Sequence, residues 1–585
     1  MKKILMMLAA AAALVSCNMD FYRSDTMTSS MLADNPGAAK YTTDGNYAML
    51  KDEMSYSNTR SGNDFCRLYF LMNELRGDNA SLSNKTTDPL CEENTWKDSE
   101  NAADLSYMWY ISYKIIYGCN SNIESMEEGS VETNHLLGEN YFLRAFCHFN
   151  LCNLYATPYL RGKDELGVII RKSTDVSGET KRATVGEVYE FIVSDLKEAI
   201  RLMDPGYSRG NKGYANHNAA RALLSRVYLY MGENKLCYEI CEDMLENSPE
   251  SYLDDVTTYF AATKDSKETL WCIAKSRTDQ DYSPQGEMPS MYYTSMDGDR
   301  GNGDTGWCEI YWAEPLIDLM QRNPDDLRFK TYFVPFGVLN DGKKMVTWPL
   351  ISDNDMRLQQ TVRDLTFDAT ADVHATFKFD GKQCSVKSKM INGYPAYYIT
   401  GLYSDSEDKD DIEGGTRCYV RDNVDGISGV RDGVAPKYGM TKFCFQDGQT
   451  LLSSPAILRW AEVILNRAEA YAKEGMDQKA LDDVNVIRKR AGLSGDALWT
   501  TSNYAAAGYN SVLDVVLDER RMEFCFEGHR ALDQYRNNRA LDRRYGGYQP
   551  YEVISVEDMD IRYPYCIPFD ETSVSPGVQK NKKQM

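Results

Sequence analysis

From Leu451 to Ala540 the chain is a succession of amphipathic helical patterns, and this run limits the fold more than any other stretch. Between Pro455 and Ala472, apolar residues fall at Ile457, Trp460, Ala461, Ile464, Leu465, Ala468, Tyr471 and Ala472. That is the i, i+3, i+4, i+7 spacing of one helical face. Pro455 suits a first helical turn, Gly475 the stop and Asp477 the cap of the next start. The second helix presents Ala480, Leu481, Val484, Ile487 and Ala491 and ends near Gly492. Alanines on both faces let the two helices approach closely, so the pair predicts an αα-hairpin. A third helix opens on the capping pattern Ser511–Asp514 and runs through the charged stretch Asp518–Arg536. There Asp518 and Arg521, Arg520 and Glu523, Glu527 and Arg530, and Asp533 and Arg536 each stand at i, i+3. That spacing belongs to structural ion pairs, so these residues are expected to fix how helices meet, not to touch a ligand.

The rest of the chain narrows the class. A formal net charge of −22 over 585 residues repels phosphate backbones, which excludes nucleic acid as the expected partner. Forty tyrosines supply flat apolar rings with polar tips, useful on binding surfaces and between helices alike. The 15 cysteines show no spacing of a disulfide framework, and Cys237 and Cys241, at i, i+4, read as small core residues. Met1-Lys-Lys followed by the apolar run Ile4–Leu14 has the layout of a secretory signal. It ends Leu14-Val-Ser-Cys17, which resembles a bacterial lipobox; Cys17 is then the expected lipidation site, with a polar tether behind it.

Seven phrases point to one family. Leu458–Ala470, Asn485–Leu493 and Glu519–Arg530 resemble, in that order, the C-terminal blocks of the SusD/RagB family of outer-membrane nutrient-binding lipoproteins. Tyr107–Ile123, with Trp109, Tyr113, Ile116, Asn120 and Ile123, resembles an N-terminal phrase of the same family, as do Gly138–Tyr155, Arg182–Ala199 and Ala219–Gly232. The resemblance implies a mainly α, SusD-like fold: tetratricopeptide-type helix pairs forming a scaffold, with a loop-rich irregular region and a few short strands. It divides the chain into a signal peptide (1–16), a lipidated cysteine and tether (17–32) and a SusD-like domain (33–585). Within the domain the expected parts are helical at 33–250, loop-rich and ligand-binding at 251–450, helical again at 451–540, and a tail at 541–585.

After about residue 248 the helical rhythm fades. Glu268–Ile273 and Thr376–Phe379 alternate like strands, and Asn340-Asp-Gly342 and Asp380-Gly381 read as hairpin turns. Residues 281–450 are the expected specificity region, long, irregular and rich in aromatics. The turn Glu74–Asn79 resembles a family turn that reaches the ligand, so Arg76, Asp78 and Asn79 are candidate partners for hydroxyls. Trp96, flanked by polar residues, and Tyr292, Tyr293 and Trp307 are candidate stacking platforms. Asp297–Asp304 has the flavour of a calcium loop but lacks its Gly and Glu, and 405–413 is a second acidic stretch. No phosphate loop, His-Glu-x-x-His or nucleophile elbow is present, and the five histidines are scattered. No cofactor is expected.

By resemblance, the chain is expected to be a surface-exposed lipoprotein that captures oligosaccharides and passes them to a SusC-like TonB-dependent porin. A peptide ligand is the alternative within the family. A surface-anchored glycoside hydrolase is the alternative outside it, since plentiful carboxylates do not single out an acid/base pair.

Overall fold

The computed structural model describes residues 37–51, 64–82, 86, 88, 90–175, 177, 180–246, 252–279, 282–284, 286–293, 306–335, 337–351, 357–402, 411–412, 415–425, 438–575 and 577–584. Seventeen α-helices fall among them. α1 (Ala38–Ala48) and α2 (Phe65–Leu75) lead through β1 (Ala80–Leu82) and α3 (Leu90–Thr95) to the long pair α4 (Ala103–Ser125) and α5 (Val131–Tyr155). After α6 (Tyr159–Gly162) come α7 (Val185–Leu202), α8 (His217–Met231) and α9 (Asn234–Met244). The sequence dictates these starts. Ser130 and Asn216 accept from the free N–H groups of Thr133 and Ala219, and Thr184 with Glu187 forms a full capping box. On α7 the buried residues Val185, Val188, Tyr189, Ile192, Leu196 and Ala199 form one stripe, which packs on α5. Gly232, in the left-handed region at φ 75°, closes α8 and turns the chain into α9.

The helical array continues in the C-terminal blocks: α9 packs on α12 (Trp460–Lys473), α12 on α13 (Asp477–Arg490), and both on α14 (Val512–Glu523). Gly475 at φ 71° and Gly492 at φ 82° stop α12 and α13, as their positions in the sequence predict. Two details differ from expectation. Residues Ala456–Arg459 form a strand, not the first turn of α12; they pair antiparallel with β2 (Thr269–Cys272), and a ladder partner overrides a local helical period. Asp477 is the first residue of α13 and does not cap it; Met476 holds the cap position. Beyond α14, Phe526 (φ 64°) and Gly528 (φ 80°) break the helix before α15 (Arg530–Arg536).

The C-terminal tail, through α16 (Val556–Arg562) and α17 (Phe569–Val574), returns to the first helices. There Tyr565 donates from its N–H to Leu154 O at 2.9 Å and from its hydroxyl to Met72 O at 2.8 Å. Among the described residues no helix is long and apolar enough to cross a membrane. Thirteen of their cysteines are buried, Cys237 and Cys241 among them as core residues.

Between the two helical halves, β3 (Ile310–Trp312), α10 (Glu314–Gln321), α11 (Leu327–Tyr332) and β4 (Phe333–Pro335) lead into an antiparallel sheet. Its order is β6-β5-β11-β9-β8-β7, from β5 (Val338–Ile351), β6 (Arg357–Leu365), β7 (Ala375–Phe379), β8 (Lys382–Ile391), β9 (Tyr394–Thr400) and β11 (Gly415–Asp425), with the short β10 (Asp411–Ile412) paired to β11. Its own apolar cluster includes Val346, Trp348, Phe377, Val386 and Ile399. Asp380-Gly381 is the predicted hairpin turn. Asn340-Asp-Gly342 is not one: the residues stay within β5, and the pairing with β11 slips there from Lys344↔Asp422 to Asn340↔Asn423. The extra residues make a bulge, which leaves the strand bent and not reversed.

The charges of the C-terminal blocks are buried, and they reach across elements. Arg459 stands 3.0 Å from Glu268, 2.6 Å from Glu523 and 2.7 Å from Glu527. Arg490 bridges Glu268 and Glu523; Arg328 bridges Glu519 at 2.8 Å and Glu523 at 3.1 Å; Lys442 holds Glu527. A second cluster joins Arg536 and Arg520 to Glu469 and Asp533. Of the four predicted i, i+3 pairs, Asp533–Arg536 forms, at 2.7 Å. The partners of Arg520, Arg521, Glu523, Glu527 and Arg530 lie on other elements, because buried charges must be matched by whatever the packing brings near.

Removing one member of such a cluster strands the others away from water. Arg459→Ala is expected to cost roughly 3–5 kcal/mol, seen as a clear fall in the denaturation midpoint or as failure to accumulate folded protein. An unchanged midpoint would show that the cluster does not hold the fold.

Candidate functional site

The seven ligand residues that the sequence marks fall into two settings. Arg76, Asp78 and Asn79 do leave α2 in a polar turn, but their side chains point into the frame. Arg76 Nη2 lies 2.6 Å from Asp98, which also takes Lys583 at 2.7 Å. The Arg76 guanidinium sits 3.9 Å above the Tyr565 ring and 5.1 Å from that of Trp96. Asp78 accepts from Arg530 Nε at 2.7 Å; Asn79 accepts from Arg521 Nε at 2.8 Å and donates to Glu74 at 3.0 Å. Burial pushes the Asp78 carboxyl up, but Arg521 and Arg530 outweigh it and hold it at about 2, so it stays ionised. The expectation that these three bind hydroxyls is corrected on burial: Asp78 and Asn79 join the turn to Arg530 and Arg521, and Arg76, with Nε and Nη1 unbonded, is enclosed by Asp98, Tyr565 and Trp96.

Trp96 and Tyr292 are corrected in the same way. Trp96 is 4% exposed, edge-on to Tyr563 at 5.9 Å. Two of its polar neighbours turn inward, although Lys97 beside it is exposed: Asn94 receives Arg543 at 2.6 Å, and Asp98 receives Arg76. Tyr292 has no exposure and packs between Phe443 and Phe526, at 6.1 and 5.4 Å.

Trp307 and Tyr293 are set differently. Trp307 is 41% exposed, and Tyr293 is half-buried with its ring 5.7 Å from Phe445. A glycine brings them together: a Cβ on Gly306 would lie 2.0 Å from the Tyr293 carbonyl oxygen, so only glycine lets the chain before Trp307 press against that turn. Cys308 and Glu309 then donate from their N–H groups to the carbonyls of Ser290 and Met291, at 2.8 and 2.9 Å.

A short ladder fixes what else reaches this place. β1 pairs antiparallel with β3, Ala80 opposite Trp312 and Leu82 opposite Ile310. The chain leaving β1 after Leu82 and the chain entering β3 from Trp307 therefore emerge at the same ladder end. Thr86 Oγ1 donates to Glu309 there, and Asp88 pairs with Arg67 at 2.9 Å. The tail joins them, with Tyr548 N donating to Leu82 O at 3.3 Å and Ser81 Oγ to Gly546 O at 2.9 Å. These backbone contacts bring residues of three distant segments, Trp307 and Tyr293, Tyr548, and Thr86 and Asp88, to one end of the ladder. Such a place can stack the C–H side of a ring-shaped ligand and hydrogen-bond its polar edge. The sequence offered no signal for Thr86, Asp88 or Tyr548, which enter only through the β1–β3 pairing.

Cys17, the stretch 297–304, and all of 405–413 except Asp411 and Ile412 lie outside the described residues. Among the described residues no group of three or more His, Cys, Asp or Glu side chains is arranged to hold a metal ion.

Replacing the two tryptophans separates the two settings. Trp96→Ala is expected to destabilise the chain by about 3–5 kcal/mol, as for any large buried aromatic. Trp307→Ala is expected to shift stability by less than about 1 kcal/mol, as for a surface site. Thermal or urea unfolding of both variants checks this, and equal losses would contradict the assignment.

Comparison with known proteins follows the same outline. Residues 267–582 match the model of the SusD family, and residues 42–229 match a model described as starch-binding associating with outer membrane. No curated protein matches. A SusD superfamily protein from Bacteroides thetaiotaomicron is 20% identical, with a TM-score of 0.65 over 94% of this chain and 99% of that one. A SusD-like carbohydrate binding protein from Bacteroides vulgatus is 17% identical, with a TM-score of 0.61 over 93% and 97%. A SusD superfamily protein from Parabacteroides distasonis is 17% identical, with a TM-score of 0.60 over 95% and 100%. At these identities the solved structures speak for the fold.

Proposed function

The chain belongs to the SusD family, and from that premise we propose that it is a glycan-binding lipoprotein of the outer membrane. In this reading it is anchored through Cys17 and faces outward. It captures oligosaccharides and delivers them to a SusC-like TonB-dependent transporter. Support comes from the starch-binding, outer-membrane description of the model matched by residues 42–229 and from the carbohydrate-binding relative of the same fold.

The observation that carries the reading is the exposure of Trp307 at the β1–β3 ladder end. A tryptophan 41% exposed, with its backbone locked against the Tyr293 turn, is a rigid platform. Hydration of a flat indole is unfavourable, and a sugar ring replaces that water with C–H contacts at little cost in ordering. Tyr293 and Tyr548 reach the same ladder end, and Thr86 and Asp88, engaged with Glu309 and Arg67, border it. Capture beside a channel gains from high local concentration and requires only binding.

A surface-anchored glycoside hydrolase would need two carboxyl groups about 5–10 Å apart across a cleft, one of them free to donate a proton. The buried carboxylates of the C-terminal blocks are instead held by arginine or lysine.

Calorimetric titration of the leader-free chain with a panel of oligosaccharides tests the proposal. Trp307→Ala is expected to weaken binding of the captured glycan at the ladder-end face at least tenfold while the protein stays folded. Affinity unchanged by Trp307→Ala would remove this face from the site. Binding of peptides in place of any glycan would move the chain to the family's other ligand class.

A further inference from the structure

A cleft of about 760 Å³ runs beside α4, walled by the segment Ile169–Ser173 and by α17. It shares no residue with the ladder-end face. Trp109, Tyr113 and Ile169 line its base, and Tyr110 and Tyr117 line it along the helix. Lys114, Arg171 and Glu571 supply charge of both signs.

The base is preformed. Trp109 Nε1 donates to Glu571 at 3.2 Å, and the Tyr113 hydroxyl donates to Ile169 O at 2.8 Å while accepting from Ile169 N at 3.0 Å. Asn120, itself held by Arg144 at 2.7 Å, donates to the carbonyls of Arg171 and Ser173 at 3.2 and 3.0 Å. The upper groups are uncommitted. Tyr117 is 52% exposed, and neither its hydroxyl nor the Arg171 guanidinium makes a hydrogen bond among the described residues. Lys114 has the Tyr110 hydroxyl, at 3.2 Å, and lies over the same ring, 5.4 Å from its centre. Tyr110 and Tyr117 stand two helical turns apart on one side of α4, about 10 Å along its axis.

We propose that this cleft is a second carbohydrate-binding site, which takes a linear stretch of oligosaccharide across Tyr110 and Tyr117. The chemistry selects the ligand class. An acyl chain or the apolar face of a partner helix would strip water from Lys114 and Arg171 and return no acceptor, which costs more than the contact gains. A sugar chain offers hydroxyl oxygens to Lys114, Arg171 and the Tyr117 hydroxyl, and C–H faces to the rings. The walls are fixed by their own hydrogen bonds, so binding orders little else. The inference takes its ligand class from the proposed function but not its place, so either site stands without the other.

The test is calorimetric stoichiometry on the leader-free chain, titrated with maltoheptaose, xylohexaose and trigalacturonate. The chain is compared with its Trp307→Ala, Tyr110→Ala/Tyr117→Ala and Tyr117→Phe variants. Circular dichroism confirms folding of each. For a glycan that binds, the inference predicts two sites per chain: one survives in Trp307→Ala, and it is weakened at least tenfold in the double variant and less than tenfold in Tyr117→Phe, which keeps the ring and loses one hydrogen bond. Complete loss in Trp307→Ala, or a stoichiometry that the double variant leaves unchanged, overturns the second site and leaves the ladder-end face standing. Complete loss in the double variant alone keeps this cleft and overturns the ladder-end face. No binding by any of the three probes overturns the inference.

Discussion

The buried salt-bridge network around Arg459 is what the rest of the molecule depends on. Arg459 ends the strand Ala456–Arg459, immediately before α12, and its guanidinium gathers Glu268 from before β2 with Glu523 at the end of α14 and Glu527 just beyond it. Arg490 from the end of α13 and Arg328 from α11 close the same network. Five elements from distant parts of the chain are therefore fixed to one another at a single point. Taking so many charges out of water is unfavourable unless each is matched, so the network tolerates one arrangement of those elements. The Asp78–Arg530 and Asn79–Arg521 contacts extend the same principle to the end of α2, and through β1 to the ladder that carries Trp307.

This explains what local pattern makes visible and what it hides. Helix starts such as Thr184 and Ser511, and stops such as Gly475 and Gly492, are set by contacts within a few residues, so they are legible in the sequence. The strand at Ala456–Arg459 is not, because its partner, β2, lies far back in the chain and nothing in the phrase itself announces it. The charged block Asp518–Arg536 is legible as structural, but its partners are not: i, i+3 spacing suggests pairing within the helix, while burial directs most of the charges outward to the strand Ala456–Arg459, α12 and the turn after α2. The same ambiguity governs the site. Polar residues around Trp96 look like a solvent-exposed loop until Asn94 and Asp98 are seen bonded in the interior, whereas Trp307 stays accessible.

Function, in this account, follows from where charge is spent. Three acids of the α2 turn and the C-terminal blocks are locked to guanidinium groups: Asp78 is held ionised at about 2, and burial pushes Glu523 and Glu469 up but the arginines around them drive both lower than an ordinary carboxyl. Acids tied into the frame and an aromatic ring left exposed at a loop junction support the proposed role of holding a ligand. The family assignment and the ladder-end face point the same way, and the aromatic cleft beside α4 extends the argument to a second place on the helical scaffold.

The most direct measurement is the fate of the bound glycan. Oligosaccharide captured by the leader-free chain is released by denaturation after prolonged incubation and weighed by mass spectrometry. The account predicts recovery at the original length with no new reducing ends. Shortened products that accumulate with time and protein concentration would contradict it.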